Sequence, residues 1–308
     1  MRNKTAVFLH LYHQDQAKYF YDYLFPIKDM VDIYITLPDS VDCDVTVTML
    51  SDLNPQIDYV DNVGGDILPF LRSLVKYASH YKYFFKIHSK KSLLHRFCHW
   101  KEILVYELLG SPKILRQNCL LLDNPFIDSI GPLSMLMNHD RCHKPYIHFL
   151  MDELGIPFDN YSHFVGGTMF AGCSETYLKY FNKEVVDYIE GLMIDNKELG
   201  RTVKDQDVHG LCVATYIHAL ERIFGYLGNL YPITMSTITV NGINSPKQIV
   251  VTKNNEVYCH SDSSICGNIV EENLDQLAII WKHKRPRKKE IYKKTSENTI
   301  TKVTNDSR

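Results

Sequence analysis

No stretch of about 18 consecutive apolar residues occurs in the 308-residue sequence, which excludes an obvious bilayer-spanning helix. The opening Met1-Arg2-Asn3-Lys4, followed by Ala6 to Leu11, is too short and polar-flanked for a secretion signal, so the chain is expected in the cytoplasm. The eight cysteines (Cys43, Cys98, Cys119, Cys142, Cys173, Cys212, Cys259 and Cys266) include no two-residue-spaced pairs and form no dense framework. That spacing argues against zinc and against a disulfide-stapled secreted fold, and reduced, buried thiols are expected. Cys98-His99 and Cys142-His143 lack second ligand pairs at metal-site spacing. Internal repeats are absent. A strong net charge is missing too: the total is −2, yet Lys282 to Arg308 holds ten Lys and Arg against three acids, leaving an acidic body. Such a body argues against a nucleic-acid enzyme. The cluster Lys282-His283-Lys284-Arg285-Pro286-Arg287-Lys288-Lys289 reads either as a solvated tail or as a contact for an anionic membrane face, worth about 1 kcal/mol per basic residue.

What is present is a chain that is 45% hydrophobic, long enough for a large core, and patterned as alternating strands and helices. Thr5 to Tyr12 reads as a buried strand, and Ala17, Phe20, Tyr21 and Leu24 mark a helix face stopped at Pro26. Ile33 to Leu37, Asp44 to Leu50 (by alternation of Val45, Val47 and Met49) and Ile57 to Val60 read as strands. A helix is predicted from Ile67, a strand over Tyr83 to Ile87, helices after Trp100 and after Ser111-Pro112, and a strand over Phe126 to Ile130. Phe164 to Ala171 reads as a strand or strand-loop, and Val208 to Tyr226 as a long helix. Beyond Tyr231-Pro232 a small hairpin, Gln248 to Thr252 with Glu256 to His260, precedes a predicted helix over Glu271 to Trp281. The pattern implies a mostly parallel, doubly wound α/β sheet over 1–232, an appendage over 233–281 and a basic, disordered tail over 282–308.

In an open α/β sheet, ligands bind beyond the carboxyl ends of strands, so loops following strands hold the candidate chemistry. Asp61-Asn62-Val63-Gly64-Gly65-Asp66 opens a helix with small residues and free N–H groups; it reads either as a nucleotide cradle or as a turn capped by Asp66. Lys86-Ile87-His88-Ser89-Lys90-Lys91 gathers cations where a strand ends, suited to a departing diphosphate or to plain solvation. Gly166-Gly167-Thr168 offers backbone and a hydroxyl to a flat ring, or a bulged strand. His218, Glu221 and Arg222 can share a helix face, as an ion network or as catalytic groups. Paired carboxylates for a metal are missing at the lysine-bearing strand end.

Taken in order, these patches resemble the rhamnan synthesis protein F family of bacterial polysaccharide glycosyltransferases. The stretch from Asn62 to Leu71 is similar to the family's Asn-Arg-Gly-Arg-Asp-Ile-Gly-Pro-Phe-Leu, and Lys86 to Ser92 to Lys-Ile-His-Thr-Lys-Lys-Ser. Gly167 to Phe170 is similar to Gly-Thr-Met-Phe, and His218 to Gly225 to His-Ala-Ile-Glu-Arg-Leu-Phe-Gly, the likeness running from Ala6 to Leu227. The chain departs from the pattern at Val63 and Gly65, which replace arginines, and at Val213, where an aspartate is expected. The resemblance implies a fold like the single-domain (GT-A-like) nucleotide-sugar transferases, and inverting transfer of a sugar such as rhamnose. The donor would be a nucleoside diphosphate sugar, and the acceptor a cell-surface polysaccharide or lipid-linked glycan. It implies Asp66, His218 or Glu221 as general base, no metal or other cofactor, and Asn62, Gly64, Gly65, Lys86, His88, Lys90, Lys91, Gly166, Gly167, Thr168 and Arg222 as substrate-binding residues. A non-catalytic glycan or sugar-nucleotide binding protein is the competing expectation.

Overall fold

The apolar run after Thr5 forms strand β1 (Thr5–His10), buried along its whole length, and the elements that cover it alternate in type as the periodicity requires. The structure, a computed structural model, describes residues 4–91, 100–132, 135–138, 143–157, 163–198 and 215–233, and the backbone of seven strands between 239 and 303. After β1 come α1 (Ala17–Leu24), β2 (Asp32–Pro38), α2 (Asp44–Leu50), β3 (Gln56–Val60), α3 (Ile67–Tyr77) and β4 (Tyr83–His88). The chain continues through α4 (Trp100–Leu109), α5 (Pro112–Leu122), β5 (Ser129–Pro132), β6 (Leu136–Asn138), α6 (Lys144–Leu154), β7 (His163–Val165) and β8 (Phe170–Cys173). It then forms α7 (Ser174–Leu178), α8 (Lys183–Asp195), α9 (Tyr216–Ile223) and β9 (Leu230–Ile233).

Seven strands form one sheet in the order β3-β2-β1-β4-β8-β5-β9. All neighbours run parallel except β8, which is antiparallel to both β4 and β5. Under the sheet's centre, Phe8, Phe70, Phe84, Phe170, Tyr177 and Phe224 pack ring against ring, with centroids 4.9 to 6.2 Å apart. All six are buried, so each contributes about 1.5–3 kcal/mol of apolar transfer. Together they join β1, α3, β4, β8, α7 and the chain after α9 into one floor. Ser111 caps α5 as its sequence predicts, accepting from the Ile114 N–H at 3.2 Å.

Four predicted elements come out differently. Asp44 to Leu50 is helical, because Thr46 and Leu50, four apart, are the buried pair, while Val45 and Met49 of the alternating set face solvent. The long helix expected from Val208 begins only at Tyr216: Thr215 is extended and caps α9, accepting from the His218 N–H at 3.2 Å, while 208–214 lie outside the described residues. The helix expected over Glu271 to Trp281 is instead parts of two antiparallel strands, Cys266–Asn273 and Gln276–Trp281, in keeping with the β-favouring Ile279-Ile280-Trp281 run. Within the supposedly disordered tail, Lys289–Ser296 and Thr299–Val303 pair antiparallel and join a second seven-stranded sheet. The predicted hairpin does form, Gln248–Val251 pairing with Val257–His260. The basic residues 282–288 lie outside the described residues.

Candidate functional site

The chain leaves β1 toward β2 and β3, then returns to place β4 on β1's other side, so the switch point at which open α/β sheets form their ligand crevice falls beyond the carboxyl ends of β1 and β4. Across that edge Thr36, His10 and His88 stand in register on β2, β1 and β4. The His10 Nδ1 lies 2.9 Å from the Thr36 hydroxyl. Burial pushes His10 down to about 3 and His88 to about 4, so both imidazoles are neutral at neutral pH. His10 escaped the sequence reading because a single polar residue ending an apolar run carries no motif.

Asp66 occupies the cap position of α3, yet its carboxylate makes no capping bond. It turns into the crevice instead. One oxygen, Oδ2, accepts from the Lys86 ammonium at 2.5 Å and from the Thr168 hydroxyl at 2.5 Å. The His88 Nδ1 stands 3.1 Å from the same oxygen, close enough for attraction but out of line for a hydrogen bond. Burial disfavours the Asp66 charge, but attraction from His88, protonated in the acid range where Asp66 titrates, and from Lys86 outweighs it and holds the carboxyl well below its usual range. Lys86, 1% exposed, also donates to the Thr168 carbonyl at 2.8 Å. Burial lowers its ammonium, with Asp66 opposing.

The third and fourth motifs meet the first two because β8 runs backwards. Phe170 pairs with Lys86, so the turn ahead of it sits at the carboxyl end of β4. Thr168 has φ 52°, a left-handed conformation that a β-branched side chain rarely adopts and that costs of order 1–3 kcal/mol. Its hydroxyl, its carbonyl and its N–H (to the Val165 carbonyl, 3.1 Å) are all bonded, which holds it there. Next to it the Gly167 N–H donates to Glu221 Oε1 at 2.8 Å, and Glu221 Oε2 pairs with Arg222 at 3.0 Å. The His218 Nδ1 lies 2.6 Å from the Thr215 hydroxyl, and its ring centroid is 5.2 Å from that of His143.

Asp66, Lys86, His88, Gly167, Thr168 and Glu221 are thus brought together from β4, β8's leading turn, α3 and α9. The four cations expected to act as a set have different surroundings. Lys86 is engaged by Asp66, His88 is neutral, and Lys91 pairs with Asp15 at 2.8 Å on the surface. Lys90 stands close enough to depress Lys86 and His88, its backbone held at both N–H and carbonyl by Gln16. Arg222 is 5% exposed, donates to the His218 carbonyl at 2.8 Å and lies over the Phe164 ring, so it braces α9 from inside. Asn62 donates to the Tyr12 hydroxyl at 3.1 Å. Both glycines have positive φ, 67° at Gly64 and 57° at Gly65; a Cβ on Gly64 would also meet Met193 at 2.6 Å and Leu68 at 2.7 Å, whereas one on Gly65 would make only an ordinary contact with Ile217 at 3.9 Å. Gly166 donates to the Met135 carbonyl at 2.8 Å and packs on Met137. The other residue missed from sequence is Glu198, buried at the start of α9, whose partners are largely backbone N–H groups that no sequence pattern reveals.

Among the described residues no three His, Cys, Asp or Glu side chains converge as metal ligands, and no helix is long and apolar enough to cross a membrane. A cavity of about 510 Å³ lies elsewhere, lined by Gln117, Asn118, Leu120, Leu121, Tyr231, Pro232 and Ile233, and no acid, histidine or cation borders it.

Among solved structures, the chain is similar to glucosyl-3-phosphoglycerate synthase from Mycobacterium tuberculosis in complex with uridine diphosphate. That match has 18% identity over 56% of this chain and 58% of that one, with a TM-score of 0.31, so this chain spans less than two thirds of that protein. A second likeness is to 4-diphosphocytidyl-2C-methyl-D-erythritol synthase from Anaerococcus prevotii DSM 20548, at 9% identity over 82% of this chain and 94% of that one, TM-score 0.37. No curated protein matches the sequence significantly. The family profile of rhamnan synthesis protein F matches residues 1–230, the stretch that contains the whole Asp66-centred site, and the chain belongs to the rhamnan synthesis protein F family.

Proposed function

We propose that the protein is a glycosyltransferase that moves a sugar, rhamnose in our reading, from a nucleoside diphosphate donor to a growing polysaccharide or lipid-linked glycan by inverting displacement. The observation that carries the proposal is the turn of Asp66 away from its own helix end to join Lys86, Thr168 and His88 in the crevice. A residue serving only the fold would cap α3; this one organises a polar cluster where α/β sheets bind ligands.

Asp66, held well below the usual carboxylate range, is a poor proton acceptor, and its role is to fix Lys86 and the Thr168 turn. Glu221 is the better general base. It is anchored on the Gly167 N–H beside that turn and keeps 15% of its side chain accessible, so an acceptor hydroxyl reaching it would lose its proton as the new bond forms. Lys90 meets the charge developing on the diphosphate, and the neutral His10 and His88 serve as hydrogen-bonding groups. The proposed transfer proceeds without a metal. Basic residues 282–289 would bring the enzyme to an anionic membrane face where a lipid-linked acceptor resides.

The test is Glu221→Gln with nucleoside diphosphate rhamnose and a rhamnose oligosaccharide acceptor. Turnover should fall at least about 100-fold while donor binding stays within threefold. Donor binding without any turnover in the unaltered protein would favour the competing reading, a sugar-nucleotide binding protein.

A further inference from the structure

Glu198 belongs to none of the sequence motifs, yet it is 2% exposed, and its carboxylate is saturated from three sides. Oε1 accepts from the Tyr216 N–H at 2.6 Å and from the Asn196 side-chain amide at 2.6 Å, and Oε2 accepts from the Ile217 N–H at 2.8 Å. These are the first two N–H groups of α9, whose cap position Thr215 already fills, so Glu198 is a second brace arriving from the end of α8. A buried carboxylate is tolerable there because aligned peptide dipoles make a helix start positive. The same residue's backbone carbonyl accepts from the Gly64 N–H at 3.2 Å, in the loop that presents Asp66.

These contacts close a ring. Asp66 is bonded to Thr168, neighbouring Gly167 to Glu221, Glu221 rides on α9, and α9 and the Gly64 loop are both held by Glu198. We infer that Glu198 is a positioning residue that sets the spacing between Asp66 and Glu221, and so couples the donor-side loop to the helix bearing the base. Its effect on turnover rests on the transferase reading; the coupling itself does not.

Hydrogen exchange and steady-state kinetics on the full chain test this with Glu198→Gln, Glu198→Ala and, as control, Ser111→Ala, which removes a cap remote from the site. Glutamine keeps the volume but turns an NH2 group toward an N–H it cannot accept. Both Glu198 variants should raise exchange tenfold or more at Tyr216 and Ile217, and also at Gly64 and Ile67 across the ring. They should lower kcat at least tenfold with the donor KM within threefold. Ser111→Ala should lower the melting temperature without changing either readout. Exchange gains confined to Tyr216 and Ile217, or a wild-type kcat in Glu198→Gln, overturn the inference. If the unaltered protein transfers no sugar, the transferase reading fails and the exchange data alone decide the coupling.

Discussion

Replacing Asp66 by asparagine removes the anion that neutralises a lysine only 1% exposed. An ammonium left in that position keeps the Thr168 carbonyl as an acceptor but loses its counter-charge, and breaking a buried pair in this way costs about 3–5 kcal/mol. Native stabilities run to about 5–15 kcal/mol, so Asp66→Asn should surrender a large fraction of the total. For a domain near this size the melting point should fall by roughly 6–20 °C, at about 2–4 °C per kcal/mol. Adding Lys86→Met should recover about half of the loss, because an apolar side chain of similar length needs no counter-charge. What remains is the unsatisfied Thr168 carbonyl, about 1–3 kcal/mol. Urea denaturation followed by circular dichroism gives the stabilities, and nucleotide release gives turnover. The double variant should be folded and inactive. If Asp66→Asn stays within about 1 kcal/mol of wild type the buried pair is not what holds this crevice together, and a folded double variant with full turnover would falsify the role given to Asp66.

Glu107 is fully buried on α4 with neither carboxylate oxygen hydrogen-bonded among the described residues, and burial raises its carboxyl well above 4.5. Its stability contribution is therefore complete below pH 4.5 and lost as pH climbs through the raised value, by up to about 1.4 kcal/mol per unit. Glu107→Gln should flatten that slope and be the more stable protein in alkali, which urea midpoints from pH 4.5 to 9 will show; parallel slopes would refute it. Asp66 acts in the opposite sense, its stabilisation disappearing as pH falls below 3.8, so Asp66→Asn should blunt acid unfolding. Gly65→Ala should cost about 1 kcal/mol for its positive φ alone, whereas Gly64→Ala should cost clearly more because Met193 and Leu68 must also move; equal melting points would contradict the packing described. Treatment with EDTA followed by dialysis should leave transfer within twofold, and restoration by added divalent ions would show that a metal is needed after all.

The alternation of strand and helix was legible where burial on both faces leaves little choice, as in β1 and β4, and where local signals are strong, as with Ser111-Pro112 at α5. It failed at α2, because Val45, Val47 and Met49 alternate by chance on a short helix whose buried face is only Thr46 and Leu50. The four site motifs were visible as clusters, but their roles were not, since charge on the page does not show neutralisation in space. Lys86 and Arg222 read as cations for a substrate and turn out to be engaged within the protein. Asp66 read equally well as a cap, and only the direction of its side chain decides. Glu198 and His10 were invisible because their partners lie far along the chain.

The reversed direction of β8 limits how this protein can vary in length. Strands running with the sheet can absorb a longer connection behind them, far from the crevice. Here the chain turns round inside the crevice itself, between Val165 and Phe170, with Phe170 pinned opposite Lys86. One residue added or removed in those few positions would swing the threonine hydroxyl off Asp66, so insertions tolerated elsewhere should be silent in folding assays and lethal to activity at this turn.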